Sequence, residues 1–405
     1  MIELPTGMVP MRDLTTTEIL YGARSTTFRY ELLAHDPSTG VDSLIGFLDG
    51  VQPAGSLNWS ASASVKKSGT LTVLDVASAA QGLIRIADVN LVTTRIRPVL
   101  IIEGLPEIPL SIYEITAAPE SWADTGRSFA LELHDKSTVL YQDEVDETYT
   151  ADTTFPVLTI ISSVIQSAGE LISVDASETS TLLTPKVWPA GTSKLQIVND
   201  LLGVLNYNAL WVDGVGNFRA TPYVKPADRS ILYVVLNDDT GEAIVRELTD
   251  GAESIYTPDW SRDRDVYGIP NKVVAVQSGT GDTEPLSDFA TNEDPTSPFS
   301  YQARGRWIVS TITGVEVPDY SADPDPVAST KAFLKVKAQQ SLIASSAVQA
   351  TVSVKCLPIP LELLDAIMFA SAPADIDARH TVQSVQLPLQ FDALMSLNLQ
   401  EVIDL

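Results

Sequence analysis

Hydrophobic residues in this chain recur at two spacings, and the places where one spacing gives way to the other constrain the fold most. From Phe28 to Asp135, apolar and polar residues alternate over short runs broken by Gly, Pro and Asp: FRYELLAHD, SLIGFLDGV, SGTLTVLD, RIRPVLIIEG, LSIYEITAA and RSFALELHD. A period of two belongs to strands, so Phe129, Leu131 and Leu133 share one face, and Ala130, Glu132 and His134 share the other. Many short strands between turn residues predict a sandwich or barrel to about residue 150. At Thr154 the period becomes helical. Val157, Ile160, Ile161, Val164, Ile165 and Ala168 follow it, with Pro156 suited to a first turn and Gly169 to a stop. A second helix starts at the N-cap candidate Ser193, carries Val198, Leu201, Leu202 and Leu205 on one stripe, and can end at Asn206. NALWV and FRATPY then flank a DGVGN turn, which reads as a hairpin.

From Ile231 the pattern returns to strands: ILYVVLN, EAIVREL and NKVVAVQSG, followed by a polar loop at about 279–300 that is expected to be mobile. A helix is predicted over Pro326 to Ser345, with Asp325 as cap. TVSVKCLPI, LLDAIMFA, HTVQSVQLPL and ALMSLNLQEVI read as four closing strands, Met395, Leu397 and Leu399 alternating through the last. The fold class is therefore mainly β with an α+β insert. Its expected parts are an N-terminal arm at 1–24, a first β domain at 25–150, a helix-helix-hairpin α/β insert at 151–228, and a second β domain at 229–405 with one helix near 326–345.

Composition narrows the function. Against 52 Asp plus Glu stand 26 Lys plus Arg, a formal net charge of -26, so phosphate backbones are repelled and sequence-specific nucleic-acid binding is disfavoured. The lone Cys356 lies in an apolar strand, where a buried thiol is expected, and no internal disulfide can form. MIELPTGMVPMRDL lacks the basic flank and apolar core of a secretory signal. No apolar run approaches the length that spans a bilayer, so stable membrane insertion is not expected.

Chemistry-bearing motifs are sparse. His35, His134 and His380 are far apart, and no zinc-type spacing of Cys and His occurs. Asp135 neighbours His134 on a strand, but adjacent strand residues point to opposite faces, which disfavours a triad. Gly214-Val215-Gly216 sits in the hairpin turn, with Arg219 where a dinucleotide fingerprint needs its third glycine. Asp319, Asp323 and Asp325, and the set Asn237, Asp238, Asp239 and Glu242, could offer oxygen ligands to calcium, but caps and turns explain them more simply. Arg262, Asp263, Arg264 and Asp265 alternate in sign and suit an intersubunit ladder or a self-compensated loop. Arg304 and Arg306 beside Trp307 make the other basic patch, a composition common at protein interfaces. No catalytic, cofactor-binding or metal residue is assigned, no cofactor is expected, and the chain is read as not an enzyme.

The order of segments resembles the tail-hub family of long-tailed phages, often called minor tail proteins, which is similar to the baseplate hub of contractile phages and to the N-terminal part of tail-associated lysins. The segments that carry this resemblance are IRPVL, LSIYEI, HDKSTVLYQDEV, GTSKLQIVNDLLGVLNYNALWVDGVGNFRATPY, WSRDRDVYGIPNKVVAV and HTVQSVQLPLQFDALMSLNLQEV. LELLDAIMF departs from the family's glycine-aspartate turn. The resemblance implies two antiparallel, tail-tube-like β-barrel domains per subunit and a homotrimer that adapts a sixfold tail tube to a threefold tip around the DNA-ejection channel. It also implies residence at the virion tail tip after assembly in the host cytoplasm. The partners it implies are a distal tail protein or tail-tube ring, a tape-measure protein, and tail-tip or receptor-binding proteins. Acidic side chains lining the lumen would keep a passing genome from sticking. The alternative is a receptor- or carbohydrate-binding β protein of the tail tip, in which Trp59, Trp122, Trp188 or Trp260 would stack on sugar rings.

Overall fold

The structure is a computed structural model that describes residues 26–76, 82–124, 126–173, 178–237, 243–247, 253–255, 260–263, 268–279, 284–347, 351–372, 376–391 and 393–402. The expected N-terminal arm lies outside these residues, as do Asp238, Asp239 and Glu242 of one acidic set and Arg264 and Asp265 of the alternating run. The chain is mainly β.

Strand Thr26–Asp36 pairs antiparallel with Val41–Leu48 on one side and with Thr94–Ile102 on the other. Thr94–Ile102 meets Tyr113–Ala117, which leads to Gly126–Asp135, then Lys67–Leu74, then Val51–Ser60. Alternation does what it predicts. Phe129, Leu131 and Leu133 are buried, and Ala130 and Glu132 face solvent. Each such burial contributes about 1.5–3 kcal/mol relative to exposure.

One strand unites the early and late β segments. Ile376–Pro388 runs for 13 residues. Its first half pairs antiparallel with Ala366–Ser371, and its second half pairs with Val51–Ser60, placing Val385 opposite Trp59 and Leu387 opposite Leu57. An irregularity between Val382 and Ser384 falls where the partner changes, the usual work of a bulge, which bends a strand and redirects its edge. Met395–Glu401 covers the opposite edge, and Thr351–Cys356 continues beyond it. Among the described residues the result is an 18-stranded sheet that shares one hydrophobic core, from Leu71 and Tyr113 through Val354 and Phe369 to Leu399. Most pairings are antiparallel, but Ile231–Asn237 lies parallel to Ala366–Ser371.

The insert has its own core. Helices Val157–Ser167 and Lys194–Val204 pack through Ile161, Ile165, Val198 and Leu201, all buried. Ser193 caps the second by accepting the Gln196 N–H at 3.2 Å, and Asn206, at φ 60°, takes the left-handed conformation that ends it. A short helix, Ser137–Gln142, precedes them where the sequence pattern gave no helical period. Strands Trp211–Val212 and Phe218–Arg219 form the hairpin, and its glycines are turn residues: the Gly216 N–H donates to Asp213 O, and the Asn217 N–H to Asp213 Oδ1.

The polar stretch at about 279–300 is not all loop. Ser287–Thr291 is one edge strand of a three-stranded sheet, with Lys272–Gln277 at the centre and Val309–Val315 on the other edge. Its polarity belongs to side chains that organise the following turns: Asp294 Oδ1 accepts the Thr296 N–H at 2.9 Å, and Asn292 Nδ2 donates to Ser297 Oγ at 3.0 Å. The helix Pro326–Ala347, capped by Asp325, covers one face of this sheet through Leu334, Ala338 and Leu342.

Candidate functional site

Two buried charged clusters hold the elements together, and the first begins with charged residues in phase with an apolar strand face. In Lys67–Leu74, Lys67 shares its face with Gly69, Leu71 and Val73 and is 1% exposed. Its Nζ lies 2.9 Å from Glu362 Oε2 and 4.7 Å from the centre of the Trp59 ring. Trp59 Nε1 in turn donates to the Tyr113 hydroxyl at 3.1 Å. Asp135 is in phase with Leu131 and Leu133 and is fully buried. It accepts the Lys67 main-chain N–H at 2.7 Å, the Ser137 N–H at 2.9 Å and the Ser137 hydroxyl.

Burial pushes the Asp135 and Glu362 carboxyls up from their ordinary range. The donated hydrogen bonds oppose the shift at Asp135, and the Lys67 ammonium opposes it at Glu362. Burying such a pair is costly, and removing one member costs more because the other remains unpaired. Lys67 comes from the early β segments and Glu362 from the late ones, so the pair fixes their mutual placement beside the shared strand.

The second cluster locks the insert to the first β segments. Arg95 donates to Asp42 at 2.8 Å, and also to Glu114 and to Glu170. Lys136 Nζ reaches Glu170 at 3.1 Å and sits 4.9 Å from the Phe218 ring centre. Glu170 and Arg95 are buried. Packing here leaves no slack: a Cβ on Gly40, at φ 70°, would come within 2.6 Å of the Leu171 side chain, and one on Gly216 within 2.3 Å of Ile112.

The residues weighed for chemistry are not brought together. His134 lies on the outer face with Nδ1 3.0 Å from Thr116 Oγ1, away from the bonds of Asp135. His380 is buried with Nδ1 2.9 Å from Ala378 O, and its ring is edge-on to Phe369. His35 packs against Asp42 at 2.9 Å in the Arg95 cluster. Asp319 and Asp325 accept the N–H groups of Ser321 and Ala328, and Asp323 the hydroxyl of Ser329, as turns and a cap require. Among the described residues, no three His, Cys, Asp or Glu side chains converge as metal ligands. Cys356 is buried.

Of the four tryptophans considered for sugar stacking, Trp59 and Trp188 are core residues, with Trp188 Nε1 bonded to Asp200 at 2.8 Å, and Trp260 packs edge-on against Phe369. Trp122 is 80% exposed. Trp307 stacks on Tyr301 with ring centres 4.4 Å apart. No described helix is long and apolar enough to cross a membrane.

The surface offers a different kind of site. Along Val41–Leu48, the side chains of Val41, Leu44 and Ile45 are each about half exposed. One edge of this strand pairs with Thr26–Asp36; the other pairs, among the described residues, only at Phe47 and Leu48, with Leu83 and Ile84. An apolar strand with a bare edge is a liability in isolation and a template for another chain.

No family model matches the sequence, and no curated protein matches it. The fold does have solved counterparts. A tail protein from Neisseria meningitidis superposes with a TM-score of 0.54 at 11% identity, over 93% of this chain and 97% of the other. The 43 kDa tail protein of prophage MuSo2 from Shewanella oneidensis gives 0.54 at 11%, over 92% and 98%. Prophage tail protein gp18 from Listeria monocytogenes gives 0.52 at 10%, over 91% and 94%. This chain has the fold of those phage tail proteins.

Proposed function

We propose that this chain is a structural component of a phage tail, the hub of the tail tip, and that it works without turnover. The observation that supports it most is the match of nearly the whole chain to nearly the whole of three tail proteins. Buried ion pairs placed to lock elements together are the second support. In this reading three copies form a ring around the DNA-ejection channel and adapt a sixfold tube to a threefold tip. The arm at 1–24, the β units at 25–150 and 229–405, and the insert at 151–228 are its parts, with a tail-tube ring or distal tail protein, a tape-measure protein and tip or receptor-binding proteins as neighbours. The protein would reside in the virion after assembly in the host cytoplasm, and its acidic side chains would line the channel.

Native mass spectrometry of the purified chain, over a range of concentration, is expected to show trimers, and incubation with purified cell wall to release no products. A species that remains monomeric at all concentrations and binds glycans through Trp122 would instead establish the receptor-binding alternative.

A further inference from the structure

The helix Pro326–Ala347 covers one face of the three-stranded sheet, where Val273 and Ala275 meet Leu334, Ala338 and Leu342. The alternate residues point the other way, and there the pairing register sets Lys272 beside Val309 and Val274 beside Phe289. The segment leading into Val309 adds Trp307, and the short helix Tyr301–Arg304 adds Tyr301. Phe289, Tyr301, Trp307 and Val309 are between 39% and 54% exposed.

These side chains form one surface. Lys272 Nζ lies 4.2 Å from the centre of the Phe289 ring and 5.6 Å from that of Trp307, which itself stacks on Tyr301. Arg306 is exposed beside Trp307, and neither Lys272 nor Arg306 forms an ion pair with a described residue. Arg304 is held within the fold, donating to Ile269 O at 2.6 Å and resting on the Phe299 ring. The nearby acids are directed elsewhere: Asp288 is in phase with Ala290 on the helix side, Asp294 accepts from Thr296, and Glu293 accepts the Thr291 hydroxyl. Rings already stacked lose little freedom when a partner covers them, and aromatic side chains with arginine are typical of interface centres.

The chain itself carries the complement. Glu144, Asp146 and Glu147 are exposed on the segment that leads into the insert, and they form no ion pair or side-chain hydrogen bond with a described residue. Their backbone is fixed, since the Val145 N–H donates to Thr192 O at 3.0 Å and the Gly191 N–H to Val145 O at 2.8 Å. Tyr141, just before them, is also exposed. Asp319, Asp323 and Asp325 make turns and a cap, but these three acids bond to nothing in their own subunit among the described residues.

We propose that the aromatic and basic face around Lys272, Arg306 and Trp307 docks the acidic 144–147 run of a second copy of this chain. The inference rests on the ring proposed above and names a contact that would build it. Two copies meeting through the same face would set Lys272 and Arg306 against their like. A face meeting a different run is a head-to-tail contact, the kind that repeats around a closed ring. Charge pairs shut away from water there are screened far less than the long-range repulsion between acidic subunits, so such a contact persists as salt rises.

Native mass spectrometry of the full chain and of charge-reversed variants tests this. Lys272→Glu with Arg306→Glu should raise the dissociation constant of the trimer about tenfold or more, and so should Glu144→Lys with Asp146→Lys and Glu147→Lys. The second set makes the chain less acidic, so weaker assembly there cannot come from general repulsion. A chain carrying all five changes should recover assembly. Circular dichroism checks that each variant folds, and Trp307→Ala, which changes no charge, should weaken assembly as well. Trimers unchanged in either reversed set, or no recovery in the chain with all five changes, would overturn the docking and leave the ring standing. A wild-type chain that stays monomeric would overturn both.

Discussion

At the scale of the residue, the most consequential side chains are charged and buried. Lys67 and Glu362 are 295 positions apart in sequence and within 3.1 Å in space. Lys67→Met should leave Glu362 without a counter-charge and cost about 3–5 kcal/mol in urea denaturation, whereas Lys67→Met with Glu362→Leu should recover most of that loss. A double variant no more stable than the single one would assign the loss to packing instead. Part of this cluster was legible in the sequence: a lysine at the position of an inward-facing strand residue, and Asp135 in phase with Leu131 and Leu133, break the apolar rule and so mark buried polar sites. Their partners were not legible, because nothing local specifies a contact across most of the chain. Leu364 shows a milder conflict. It takes φ 69° where the resemblance leads one to expect glycine, and Asp365 follows it with its carboxylate on the Glu362 N–H, so the turn survives with a leucine in a region that costs a non-glycine residue about 1–2 kcal/mol.

At the scale of the element, periodicity and caps served well where an element is closed by its own neighbours. The helices at 157–167, 194–204 and 326–347 each begin or end at residues whose chemistry announces them, Pro156, Ser193, Asn206 and Asp325 among them. Asp325→Ala should cost about 1 kcal/mol by removing the acceptor for the Ala328 N–H, and melting followed by circular dichroism should show a lower Tm with the fold retained. Strands Ser287–Thr291 and Val309–Val315 were harder to see, since an edge strand that is largely exposed needs few apolar residues. Val309 through Thr311 all face solvent, so alternation vanishes there. The small sheet is recognisable only from its pairing with Lys272–Gln277.

At the scale of the whole molecule, the charge is the governing quantity. In the proposed ring, three copies that each carry a formal charge of -26 would repel one another. Raising ionic strength from about 0.02 M to 0.5 M shortens the screening length from roughly 20 Å to about 4 Å. Sedimentation velocity should therefore show association strengthening with salt; association that weakens with salt would mean that the contact surface is held by opposite charges. The half-exposed Val41, Leu44 and Ile45 are an apolar surface of the kind that salt-strengthened association would bury.

The strand Ile376–Pro388 also sets an order of events during synthesis. Val51–Ser60 leaves the ribosome long before Ser384–Pro388, the residues that complete its edge at Ser56–Ser60. Until then the nascent early segments expose a raw edge and a half-open core. Closure of that edge is thus deferred until residues 384–388 have been made, and a message truncated before codon 376 leaves the early segments with the edge open.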